Sequence, residues 1–263
     1  MKISFHTDAF NSSVFNFEKA LQWAQKNDVH FIECGSLEGV NWIHGLGYFP
    51  HVSLSEDPME IREKMESYGV RFSQIDAAYP LSGRDGLYFG VQYVLKTLPW
   101  AKIADCPNIA TTDGLYKPEG LSESDCLELM KQAYGTIIEK AERYGITINI
   151  EVHGYFTTKP EFLDKMLNFA QSDYFGLNFD TGNTFIAVAN AMKGIMPNLE
   201  LIATCCITDW SGKRYVHDMP RPTLPISILE GEMKWTAADV THPQTLAAGS
   251  NVPGHAPKSG MRS

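Results

Sequence analysis

Glu151 and Asp180 have the residue type and the setting to hold a divalent metal ion between them. Glu151 directly follows the apolar run Ile146–Ile150, and Asp180 directly follows Phe175–Phe179. Two carboxylates brought side by side repel unless a cation or a proton sits between them. A hard divalent ion with oxygen ligands resolves that repulsion, and Mn2+ or Mg2+ is the expected choice. Such an ion polarises a carbonyl and its neighbouring hydroxyl. His153 and Asn183 follow the two acids closely, and His6 with Asp8 follows an earlier strand-like run. His153, His6 and Asn183 are the candidates for holding substrate hydroxyls. For any single acid the plainer reading is a helix cap or a lysine partner; the pair together favours the metal.

These residues need a scaffold that brings strand ends together. The chain alternates short strand-like runs with amphipathic stretches. Lys2–Phe5, Val29–Cys34 and Val70–Ile75 read as the first three strands, with Glu33 ending the second. Asn108–Thr111 reads as the end of a fourth, Ile146–Ile150 as the fifth, Phe175–Phe179 as the sixth, and Leu201–Ile207 is a candidate seventh. Between them, Phe17, Ala20, Leu21 and Ala24 recur at helical spacing, and Leu87–Leu98 also reads as helix. Asp57-Pro58 with Glu60 opens a helix that Gly69 ends. Ser122 caps a long helix with an apolar stripe from Cys126 to Ala141, stopped at Gly145. Thr158 and Glu161 have the spacing of a further capping box.

Repetition of this kind gives parallel strands joined by right-handed crossovers. No glycine-rich phosphate loop follows the first strand, so a closed (β/α) TIM-type barrel is favoured over an open nucleotide-binding sheet. In a barrel the active site lies at the C-terminal ends of the strands. Polar residues end nearly every predicted strand there: His6, Thr7 and Asp8; Glu33; Asp76 and Tyr79; Thr111, Thr112 and Asp113; Glu151 and His153; Asp180 and Asn183. Trp42, His44, Tyr48, Phe49 and His51 form an aromatic loop that could cover a sugar face or simply pack on itself.

Composition narrows the partners. A length of 263 residues suits one such barrel, and a formal net charge of −9 argues against a nucleic-acid partner. No run is long and apolar enough to span a bilayer, and no signal segment is visible, so no membrane partner is expected. Five cysteines without a CxxC spacing point to a reducing, cytoplasmic setting. Lysine and arginine are sparse at the predicted strand ends, which points to an unphosphorylated sugar or polyol as the small-molecule partner. The chain could also form a homo-oligomer. Beyond Ala187 the β/α rhythm fails, and half of the chain's 14 prolines lie there. The expected division is therefore a core of β/α units over residues 1–187 and an atypical, partly irregular region over 188–263.

Ile150-Glu151-Val152-His153-Gly154 and Gly176-Leu177-Asn178-Phe179-Asp180-Thr181-Gly182-Asn183 resemble the fifth- and sixth-strand motifs of the sugar-phosphate isomerase/epimerase family, whose fold is the xylose-isomerase-like barrel. The resemblance covers residues 1 to about 187. It implies that Glu151 and Asp180 bind the metal and that Glu151 also moves the proton. It further implies a histidine from strand seven and a glutamate from strand eight. Neither motif is legible in this chain; His217-Asp218 and Glu230 or Glu232 are the nearest approximations, so the barrel is expected to be incomplete at strands seven and eight. The implied activity is a divalent-metal-dependent sugar isomerase or epimerase. The competing readings are an impaired or non-enzymatic barrel remnant, and a metal-dependent lyase or endonuclease on the same fold.

Overall fold

The structure is a computed structural model, and it describes residues 4–7, 16–37, 51–180, 202–206, 209–210 and 225–226, with side chains up to residue 179. The expected β/α alternation is present. In chain order the elements are β1 (Ser4–His6), α1 (Phe17–Lys26), β2 (Phe31–Leu37), β3 (Val52–Ser53), α2 (Pro58–Ser67), β4 (Arg71–Pro80), a π turn (Gly86–Gly90), α3 (Val91–Ile103) and β5 (Asn108–Thr112). They continue with α4 (Glu123–Tyr144), β6 (Thr147–Glu151), α5 (Pro160–Leu167), β7 (Phe175–Asp180), β8 (Ile202–Cys206), β9 (Asp209–Trp210) and β10 (Pro225–Ile226).

One parallel sheet runs β1-β2-β4-β5-β6-β7-β8, with β3 pairing beside β2. This is the α/β barrel expected from the sequence, with seven staves in order. Among the described residues no strand joins β8 back to β1, so the sheet is open at that seam. β9 and β10 form a separate antiparallel pair. Residues 188–201, 211–224 and 227–263 lie outside the described residues, and with them the strand-seven and strand-eight stand-ins His217-Asp218, Glu230 and Glu232.

The core lies between the sheet and its helices. Ile32, Ile75, Ile109, Ile148 and Ile150 of the strands share one buried apolar cluster with Leu21, Val94, Leu98, Met130 and Ile137 of the helices. A parallel sheet covered by helices needs apolar side chains on that face. The alternating positions turn to the barrel interior, and several are polar. There Asn149 Nδ2 donates to Gln74 Oε1 at 2.7 Å, and Gln74 Nε2 donates to Glu33 Oε1 at 2.5 Å. This chain of amides spans β6, β4 and β2 and forms a polar floor under the mouth.

The helix signals were mostly sound. Asp57 caps α2 by accepting from Met59 N, with Pro58 in the first turn. Ser122 and Asp125 form a reciprocal capping box on α4, and Gly145 ends it in the left-handed conformation at φ +63°. The helix expected over 87–98 opens instead as the π turn and continues through Pro99 to Ile103, because Trp100 and Ala101 are buried in the core. The capping box expected at Thr158 and Glu161 does not form. Lys159 occupies the cap without a side-chain bond, and the Thr158 hydroxyl donates to Gly154 O at 2.7 Å.

Candidate active site

The mouth is built by the last residues of consecutive strands. β1 delivers His6, and its register partner on β2 is Glu33. β2 was expected to end near Glu33 but runs on to Leu37, so Glu33 sits inside the strand and is drawn into the barrel. A register shift after Ile32 sets Gln74 opposite Glu33, and Gly35 opposite Asp76. The result is a cluster of His6, Glu33 and Asp76 whose ligand atoms all lie within 4.8 Å of one another. His6 Nε2 and Asp76 Oδ2 are 2.7 Å apart. The sequence named each of these residues as a strand-end polar group but did not join them into one donor set.

The electrostatics of the cluster centre on Glu33. Burial pushes its carboxyl up from 4.5 to about 8, and the neighbouring Asp76 charge adds to the rise. His6 and the Gln74 amide oppose this, while Glu151 contributes a smaller upward push from the other side of the mouth. Because the folded value lies above the unfolded one, the native state holds this proton more tightly. Stability from this group is complete below about pH 4.5 and is lost as pH rises through about 8. Thermal melts from pH 5 to 9 should therefore show a declining limb that Glu33→Gln flattens. An unchanged slope in that variant would remove Glu33 as the titrating group.

Across the mouth, β6 ends at Glu151, whose register partner on β7 is Asn178. Asp180 stands two positions further along β7 and pairs with Cys206 of β8. Its side chain lies outside the described residues, as do Asn183, Asp8 and His44. Glu151 and His153 are largely enclosed, with 19% and 18% of their side chains exposed, and Glu151 Oε1 lies 3.1 Å from His153 Nδ1. His153 Nε2 lies 2.8 Å from Thr112 Oγ1 at the end of β5. Of the aromatic loop, His51 is described. Its ring lies against Gly35, where an added Cβ would come within 2.4 Å of Nδ1.

Asp113, which follows β5, fastens the turn beyond Glu151. Its carboxylate accepts from Phe156 N at 2.6 Å and from Thr157 Oγ1 at 2.9 Å, and Thr157 Oγ1 accepts from Gly154 N at 2.9 Å. Burial raises the Asp113 carboxyl above its ordinary range, against the downward pull of the Phe156 N–H, the His153 charge and the Thr157 hydroxyl. Asp113 thus holds structure together and does not face the mouth as an acid.

The residues present suit a cation. His6, Glu33 and Asp76 offer nitrogen and oxygen donors at ligand spacing, and the buried Asp76 Oδ1 has no hydrogen-bond partner among the described residues. Such a mixed nitrogen and oxygen set is a candidate site for a divalent cation.

The comparisons with known proteins fit this architecture. The family described as xylose isomerase-like TIM barrel matches residues 21–219. The chain belongs to this family. No curated protein sequence matches it. Solved structures with the same fold include the probable 3-DHS dehydratase AsbF of Bacillus anthracis, at 15% identity and a TM-score of 0.67, covering 88% of this chain and 85% of that one. An L-ribulose 3-epimerase aligns at 17% identity and a TM-score of 0.63, covering 82% and 74%. The 3-keto-D-glucoside 4-epimerase YcjR of E. coli aligns at 12% and 0.63, covering 82% and 83%. No helix among the described residues is long and apolar enough to cross a membrane.

Proposed function

We propose that the chain is a divalent-metal-dependent isomerase or epimerase of an unphosphorylated sugar or polyol, moving a proton next to a carbonyl. The observation that carries this reading is the convergence of acids and histidines at the strand ends of a xylose isomerase-like barrel. Glu151 and Asp180, on neighbouring strands at the same phase of the strand alternation, are the proposed metal ligands. When bound, the ion supplies charge to stabilise an oxyanion developing on the substrate. Glu151 takes and returns the carbon-bound proton. His6, Glu33 and Asp76 form a second candidate donor set for the ion on the facing side of the mouth. His153, Asn183 and, where that set holds no ion, His6 orient the substrate hydroxyls, and the enclosed setting of Glu151 and His153 keeps bulk water away from the proton in transit. Several fold relatives are named for epimerisation of ketoses, among them a D-psicose 3-epimerase studied with D-fructose. A relative of the same fold was solved with a bound zinc atom.

The test is incubation with Mn2+ and D-fructose in D2O, followed by NMR of the sugar. The expected result is deuterium at the carbon beside the carbonyl together with an epimeric or isomeric product, both lost with EDTA and restored by Mn2+. A melting temperature blind to Mn2+ and Mg2+, with no exchange on any ketose or aldose, would leave the remnant reading in its place. Since metal displaces protons from its ligands, Mn2+ affinity should also rise with pH.

A further inference from the structure

His6, Glu33 and Asp76 stand on three neighbouring strands, β1, β2 and β4, with their ligand atoms within 4.8 Å of one another. Hydrogen bonding alone does not satisfy the set. Gln74 Nε2 donates to one oxygen of Glu33 at 2.5 Å, and His6 Nε2 lies 2.7 Å from one oxygen of Asp76. The other Asp76 oxygen, Oδ1, is buried without a hydrogen-bond partner among the described residues. Two carboxylates this close also repel. A cation answers both defects, since it offsets the charge and takes up the idle oxygen. Little movement is needed to admit it. Donors about 2.1 Å from a Zn2+ ion at tetrahedral angles lie roughly 3.4 Å apart, so His6 and Asp76 must part by only about 0.7 Å.

This set is separate from Glu151 and Asp180. Glu151 stands on β6, with β5 between it and β4, and it is not one of the groups gathered within 4.8 Å. The donors differ as well. Glu151 and Asp180 offer oxygen alone, which suits Mn2+ or Mg2+, whereas the imidazole of His6 favours a transition-metal ion such as Zn2+ or Co2+. The position of the set has a mechanical consequence. β1 is three residues long and, among the described residues, has a strand on one side only. An ion held by all three residues reaches from that edge across β2 to β4.

We propose that His6, Glu33 and Asp76 hold a transition-metal ion of their own, of the Zn2+ or Co2+ kind, and that this ion clips the edge strand β1 to β2 and β4. The inference goes beyond the isomerase reading and stands without it. Where both hold, His6 is a ligand and leaves the substrate hydroxyls to His153 and Asn183.

The experiment uses the full chain, stripped with EDTA and given Co2+ or Zn2+ alone, without sugar. The double variant Glu151→Gln/Asp180→Asn removes the other donor pair and leaves this set intact. It should still bind one Co2+ per chain, with visible d–d absorption and paramagnetic shifts in the His6 ring signals, assigned by difference from His6→Gln. Adding His6→Gln or Asp76→Asn to that background should abolish the absorption. At free Zn2+ about 100 times its Kd, amide hydrogen exchange in β1 should slow ~100-fold, because opening must release the ion. Mg2+ at the same concentration should not slow it. The same His6 shifts in the unmodified chain carry the test if a substitution disturbs the fold. No bound Co2+ in the double variant, or Co2+ that leaves the His6 signals unmoved in the unmodified chain, overturns the site. Exchange in β1 that ignores the bound ion overturns the clip. Neither readout needs turnover. An ion on His6 in a chain that exchanges no sugar proton means that the isomerase reading has failed and the clip stands; sugar exchange in a chain whose His6 meets no ion means the reverse.

Discussion

Glu151→Gln should lower deuterium exchange next to the sugar carbonyl by about 10²–10⁴-fold, the range lost when a positioned general base is removed. The amide keeps the size of the side chain but cannot take up a proton from carbon. Replacement by solvent is disfavoured because Glu151 and His153 are both mostly enclosed. The fold should persist, since the β6 backbone pairs with β5 and β7 through main-chain bonds that the substitution does not touch. Mn2+ affinity should weaken as well, because the same carboxylate is a proposed ligand. Measuring exchange across a Mn2+ titration separates the two roles. If saturating metal restores the full rate, Glu151 is a ligand only and another group carries the proton. A rate that stays low at every metal concentration places the proton on Glu151.

The sequence disclosed the scaffold more fully than the site. Parallel β/α alternation was readable because buried strands such as Ile146–Ile150 are almost wholly apolar, while stripes such as Cys126 to Ala141 have helical spacing. The cap at Ser122 and the stop at Gly145 were readable because their chemistry is local. Thr158 shows the converse. Its capping signal was local too, but a long-range tie from Asp113 to Phe156 and Thr157 shapes the preceding turn, and the hydroxyl was drawn to Gly154 O. The cluster of His6, Glu33 and Asp76 was out of reach for a related reason. Its members are far apart in the chain, and their meeting depends on a register shift after Ile32 and on β2 running on beyond Glu33. Neither is encoded in a short window. The polar floor of Glu33, Gln74 and Asn149 likewise exists only once three non-adjacent segments are side by side.

Gly154→Ala should be among the most destabilising single-methyl additions in the chain. A Cβ at this position would stand 1.8 Å from Asp113 Oδ1 and 2.2 Å from its Cγ. The neighbour is not the free end of a flexible side chain, since both carboxylate oxygens are held by the very turn that contains Gly154. To admit the methyl, Asp113 must leave the Phe156 N–H and the Thr157 hydroxyl, or the turn must swing outward and carry His153 with it. Overpacking costs about 1–3 kcal/mol, and a hydrogen bond to a charged group is worth about 1.5–3 kcal/mol. A combined loss near 3 kcal/mol corresponds to a fall in melting temperature of roughly 6–12 °C for a domain of this size. The mechanism makes a sharper demand than the magnitude. In an Asp113→Ala background the obstructing carboxylate is gone, so adding Gly154→Ala should cost almost nothing further. The two substitutions should therefore couple by more than about 1 kcal/mol, well beyond the additivity of independent sites. Strictly additive melts would mean that the glycine is needed for some reason other than the acid resting on it. The motif Glu151-Val152-His153-Gly154 would then owe its last residue to the backbone alone.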